Sequence, residues 1–147
     1  MKRLPWVVWA GWALSPAVQA HWLVSEAEAA AAQAAPTAPA TRAVPAADAP
    51  RINLLAPSLT SAVASPTRIH LRFEAVAPAA IRPDSLRVRY GSFRLDITGR
   101  ITAASRVTAD GIDVAEAQLP KGAHRLFVEI QDTLGRTAER QLQFVVE

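Results

Sequence analysis

The stretch "RIHLRFEAV", residues 68–76, decides how this chain folds. Ile69, Leu71 and Phe73 fall on one side of an extended backbone, while His70, Arg72 and Glu74 fall on the other. A helix would scatter those apolar side chains around its circumference; a strand, with its two-residue period, gathers them on one face. The same alternation recurs toward both ends. "RINLL" (51–55) offers Ile52 and Leu54, and "SLRVRY" (85–90) sets Leu86, Val88 and Tyr90 against Arg87 and Arg89. "FRLDI" (93–97) sets Phe93, Leu95 and Ile97 against Arg94 and Asp96. "HRLFVEI" (124–130) aligns Leu126, Val128 and Ile130, and "QLQFVVE" (141–147) aligns Leu142, Phe144 and Val146. Strands with one polar and one apolar side belong to antiparallel sheets buried on a single face. Gly91-Ser92, Asp110-Gly111 and "DTLG" (132–135) supply the turns between them. Residues 51–147 are therefore predicted to form one all-β domain, a single antiparallel two-sheet sandwich of about seven strands around one core.

The chain before residue 51 is of another kind. Met1-Lys2-Arg3 is followed by the uncharged run "LPWVVWAGWAL" and then by "SPAVQA". A positive start, a short apolar middle and small residues at the end make a secretory signal peptide, residues 1–20, cut after Ala20. Pro5 and Pro16 interrupt the apolar run, which is short for a membrane span, so none is expected after cleavage. The product is then periplasmic or secreted. There is no cysteine, which excludes both disulfides and a lipid anchor on that residue. Residues 21–50 are rich in alanine and proline and read as a tether. Within it "SEAEAAAAQAA" predicts a short helix over 26–35, with Ser25 as N-cap and Glu28 as its reciprocal partner. Trp22, Leu23 and Val24 form an apolar knot just ahead of that helix, suited to stapling it or to meeting a partner.

Charge excludes one class of partner. Removing Lys2 and Arg3 from sixteen basic residues leaves fourteen against thirteen acidic ones. The arginines are spread over the polar faces of the strands and do not make the basic stripe that nucleic acid requires.

"PRINLLAP", "SPTRIHLRF", "LPKGAHRLFVEIQDTLGRT" and the final "QLQFVVE" together resemble a bacterial immunoglobulin-like or fibronectin type III-like module, over residues 50–147. In such modules a Leu-x-x-Gly-x-Tyr pattern marks the corner entering the next-to-last strand. Leu119, Gly122 and His124 stand at the matching places, with histidine where the family has tyrosine. The resemblance implies that His124 takes the tyrosine's part and bonds a nearby backbone carbonyl. A weaker likeness is to periplasmic copper-resistance carriers, sandwiches whose mature chain also begins with histidine. There the first strand follows directly, whereas residues 21–50 intervene here.

Three histidines belong to the mature chain. His21, once its amine is freed, has the chemistry to chelate copper through that amine and one imidazole nitrogen. His70 falls on the polar face of its strand and His124 on the inward face, so the two are not placed to share a metal. Asp110, Asp113 and Asp132 lie at or beside turns, where aspartate bonds backbone amides, and no alternating acidic calcium loop is present. No Gly-x-Ser-x-Gly elbow, His-Glu-x-x-His or phosphate-cradling glycine loop occurs. No catalytic residue and no cofactor are assigned. The expectation is an exported, non-catalytic accessory or protein-interaction module, whose partner is another exported or envelope protein. The alternatives are a periplasmic copper-binding protein using His21 and, third, an enzyme with a site built from loops.

Overall fold

In the computed structural model, which describes residues 21–36 and 46–147, alternating side chains of "RIHLRFE" do what their period demands. Ile69, Leu71 and Phe73 are buried, and Arg68, Arg72 and Glu74 face solvent. Each such apolar side chain stabilises the fold by about 1.5–3 kcal/mol when fully removed from water, so the face of every strand is fixed by what it must bury.

In chain order the elements are β1 (His21–Trp22), α1 (Glu26–Ala34), β2 (Arg51–Ala56), β3 (Thr67–Glu74), β4 (Ile81–Tyr90) and β5 (Leu95–Asp96). They continue with α2 (Thr98–Ala104), β6 (Arg106–Thr108), β7 (Gly111–Gln118), β8 (Gly122–Asp132) and β9 (Thr137–Val146). One sheet has the order β1-β7-β3-β2, with β6 also on β7; the other has the order β5-β4-β8-β9. β3 is central to the first, pairing Phe73 with Ile52 of β2 and Leu71 with Ile112 of β7. β8 is central to the second, pairing Val88 with Val128 and Leu126 with Leu142. Leu71, Val88, Leu126, Val128 and Leu142 meet in one core between the sheets. The expected all-β sandwich is the fold.

Several expectations are corrected in detail. Where about seven strands are expected, the described residues hold six long ones and three pieces, β1, β5 and β6, of only two or three residues. Among the described strands β1 pairs with β7 in parallel and the other strand pairs are antiparallel, and outside the strands Val63 makes a single parallel bridge to Val146 of β9. "FRLDI" is mostly not a strand. The reversal takes Gly91 to Arg94, leaving Phe93 72% exposed, and only Leu95 and Asp96 pair with β4. Ile97 then turns inward as the chain enters α2, whose Ile101 is also buried.

The tether is corrected too. Residues 21–36 are packed on the sandwich: β1 lies along the end of β7, and Leu23, Val24 and Ala29 are buried in the common core. Apolar side chains that reach a core outweigh the small-residue composition around them. The helix runs from 26 to 34, with the expected Ser25–Glu28 capping box. The expected signal peptide, residues 1–20, and residues 37–45 of the expected tether lie outside the described residues. So does the side chain of His21. Among the described residues no helix is long and apolar enough to cross a membrane.

Candidate functional site

His124 organises one end of the sandwich. The chain reaches it through Leu119, which is buried, and Gly122, whose φ of 124° would strain any other residue. The inward phase of β8 then leaves His124 only 3% exposed. Its Nε2 stands 2.7 Å from the Pro120 carbonyl oxygen, which can only accept, so Nε2 carries the proton. Nδ1 is left as acceptor for the Tyr90 hydroxyl at 2.9 Å. Phe144 stacks on the ring at 5.7 Å between centroids. The upstream carbonyl bond is the one the corner pattern implied for this position.

Electrostatics keep the pair neutral. Burial pushes the His124 pKa down, and the bond to the Pro120 carbonyl opposes this only in part. Burial, with a smaller contribution from the Glu28 carboxylate, pushes the Tyr90 hydroxyl up to about 12. Both imidazole nitrogens are occupied, so the ring serves as a strut between β4, β8 and the loop before β8.

Beside this strut a cleft of about 780 Å³ opens to solvent. Its walls are the carboxyl end of α1, the loop at 59–62 and the turn after β4; its floor is the start of β8 and the end of β9. Leu59 and Val145, which line it, are 41% and 51% exposed. Among the described lining residues Arg125 is the only charged one. With the Gln143 amide oriented so that its oxygen faces Arg125, that oxygen accepts from Nε at 3.0 Å and Nη2 at 3.2 Å. Two other arginines of this sheet and its turn do meet carboxylates. Arg89 meets Glu129 at 3.3 Å, and Arg94, lying 4.2 Å over the Phe127 ring, meets Glu139 at 3.0 Å.

The other expected positions lie apart from this cleft. His70 is half-buried on the outer face of β3, in register with Asp113 of β7. The structure does not bring it to His124, which faces the core from the other sheet. Asp113 is held by Arg68 at 2.8 and 2.5 Å, and that contact lowers its pKa. Asp110 sits in the β6–β7 turn, where its N–H donates to the Thr108 hydroxyl. Asp132 is fully buried and accepts from the N–H groups of Leu134 and Arg136 and from Arg136 Nε. Burial alone would raise its pKa, but those bonds outweigh it and the net shift is downward. Among the described residues no three His, Asp or Glu side chains are grouped to hold a metal. Trp22 remains exposed while its neighbours Leu23 and Val24 are buried.

Sequence reasoning missed Leu59, Arg125, Gln143 and Val145 as one surface. Alternation places Arg125 on an outer face, but only the register reveals that Gln143, and no carboxylate, sits across from it.

These features define a two-sheet β-sandwich with a strutted corner and an adjoining open cleft. Compared with protein families, with curated proteins and with solved structures, the chain matches none.

Proposed function

We propose that this chain is an exported, non-catalytic accessory or protein-interaction module of immunoglobulin-like type, and that it meets its partner at the cleft beside His124. The strand orders support the type. β2-β3-β7-β6 and β4-β8-β9 follow the A-B-E-D and C-F-G orders of immunoglobulin-like sandwiches, with β5 added at the edge of the second sheet. The observation that carries the interaction is the cleft itself. It combines exposed apolar side chains, Leu59 and Val145, with polar groups at Arg125 and Gln143, the mixture of apolar surface and hydrogen-bonding groups found where proteins meet. Export rests on the amino-terminal pattern of the sequence.

The test is a photo-reactive amino acid placed at Leu59 or Val145 in the full chain, expressed in its own cells. Leu134, even more exposed in the β8–β9 turn at the opposite end, serves as control. A discrete covalent adduct with an exported protein from the first two positions and not from the third is the expected result. No adduct, or the same adducts from all three, ends the proposal.

Copper binding by His21 is the second reading, favoured by one observation. Strand β1 begins at His21 itself and pairs with β7, so residues 21–50 do not separate that histidine from the sandwich. Determination of the mature amino terminus, followed by Cu(II) titration of native protein and His21→Ala, decides it. Binding lost in the variant supports copper; equal binding, or a terminus elsewhere, removes it.

A further inference from the structure

We infer that the segment bound in the cleft is an extended peptide stretch of the partner carrying an Asp or Glu side chain, which pairs with Arg125. This rests on the cleft being the interaction site and goes further by naming what recognises what.

Three observations lead there. First, the charge in the cleft is one-sided: Arg125 is the only charged residue among its described lining, and no carboxylate of the described residues pairs with it. Second, its guanidinium is positioned without being neutralised. Gln143 takes Nε and one Nη2 proton, leaving three of the five N–H donors for a ligand. A neutral amide holds the fork in place and leaves its full charge facing the cleft, the arrangement that suits a carboxylate. Third, Arg125 lies mid-floor. The Gly91 N–H donates to the Arg125 carbonyl oxygen on one side, Gln143 pairs with Arg125 on the other, and Val145 lies one outward position further along β9. An occupant crossing the floor has residues on both sides of the carboxylate, so the acid is a side chain within the segment. Ala32, Gly91 and Ser92 along one wall are small enough for a peptide backbone to come close, and exposed Leu59 and Val145 receive its apolar side chains.

The experiment selects binders of the intact mature protein from short random peptides with amidated carboxyl termini, and in parallel from the same library with free termini. The expected peptides carry an internal Asp or Glu beside small or apolar residues in both libraries. Binding should shift the amide resonances of Ala123, Arg125, Gln143 and Val145. Arg125→Gln should weaken it by roughly tenfold to a hundredfold, the range for a lost charge-assisted hydrogen bond. Arg125→Glu should bind a peptide whose acid is replaced by lysine, a rescue that a misfolded variant cannot give. Selected peptides without an internal acid, enrichment only with free termini, equal binding by Arg125→Gln, or no peptide directed to the cleft each overturn the inference. A discrete photo-adduct at Leu59 or Val145 alongside any of those results leaves the interaction module standing and removes only its acidic specificity.

Discussion

At His124 the same two hydrogen bonds that fix the ring also set how the protein responds to acid. The Tyr90 hydroxyl donates to Nδ1, and Nε2–H donates to Pro120. Protonation would put a hydrogen on Nδ1 and force the tyrosine hydroxyl to turn away. No carboxylate is hydrogen-bonded to the ring: Tyr90 faces it from β4, Phe144 from β9, and Glu28 of α1 contributes its charge to Tyr90. The folded pKa of His124 is therefore below its ordinary value near 6.5. Between those two values the unfolded chain takes up a proton that the native chain does not. Its contribution is thus complete above pH 6.5 and is lost as pH falls through the folded pKa, with a slope approaching about 1.4 kcal/mol per pH unit. Glu28 acts in a separate window. The Arg100 side-chain bond lowers it from 4.5 to about 2, so its share disappears only between those values. Urea unfolding from pH 7.5 to 5 should show the His124 slope, and His124→Gln should flatten it; a native protein with no slope there refutes the assignment. Inward phase made the burial of this histidine legible in the sequence, and the corner pattern its carbonyl. Tyr90 as its second partner was not, because that contact joins strands whose register only the folded chain reveals.

Elements were legible where one period ran uninterrupted and illegible where two competed. β3, β4, β8 and β9 bury the side chains that simple alternation selects. β7 went unread because its phase breaks: Val114 and Ala117 are both buried three positions apart, across a shift in register against β3. α2 went unread because Ile97 completes the alternation of "FRLDI" while also standing in helical step with Ile101. The Asp96 carboxylate, accepting from the Thr98 N–H at 2.8 Å, is the local signal that favours the helix. Helix α1, by contrast, announced itself through its capping box, yet its docking depends on a glycine outside it. Gly91 has φ of 70°, and a Cβ there would stand 2.6 Å from the Ala32 Cβ of α1. Gly91→Ala should therefore cost about 1–2 kcal/mol for the left-handed backbone and also push α1 away. Amide exchange should quicken along Glu26–Ala34 more than in β3 or β7. Unchanged protection of α1 would mean that the contact at Gly91 does not hold the helix, and that Ala29 and the Glu28–Arg100 pair suffice.

For the molecule as a whole, the decisive question is where the folded unit begins. Composition divides the chain near residue 50, but packing divides it earlier. Leu23 and Val24 enter the same core as Leu71 and Val128, β1 extends the sheet of β7, and Arg100 clamps both the Leu23 carbonyl oxygen and Glu28. An alanine-rich segment looked like a spacer because Leu23 and Val24, with the backbone of β1, carry much of its attachment and average composition conceals them. The segment also builds one wall of the cleft, so its docking links the stability of the sandwich to the shape of the interaction surface. If the amino-terminal segment shares that core, Leu23→Ala should destabilise the entire domain by about 2–5 kcal/mol, the cost of a cavity among buried aliphatic side chains. Denaturation should remain a single transition with a lower urea midpoint. Trp22→Ala, one residue away and 58% exposed, should change stability by no more than about 0.5 kcal/mol. A tether would make both substitutions equally silent, so the contrast between these neighbours decides whether the fold starts at the first strand or thirty residues later.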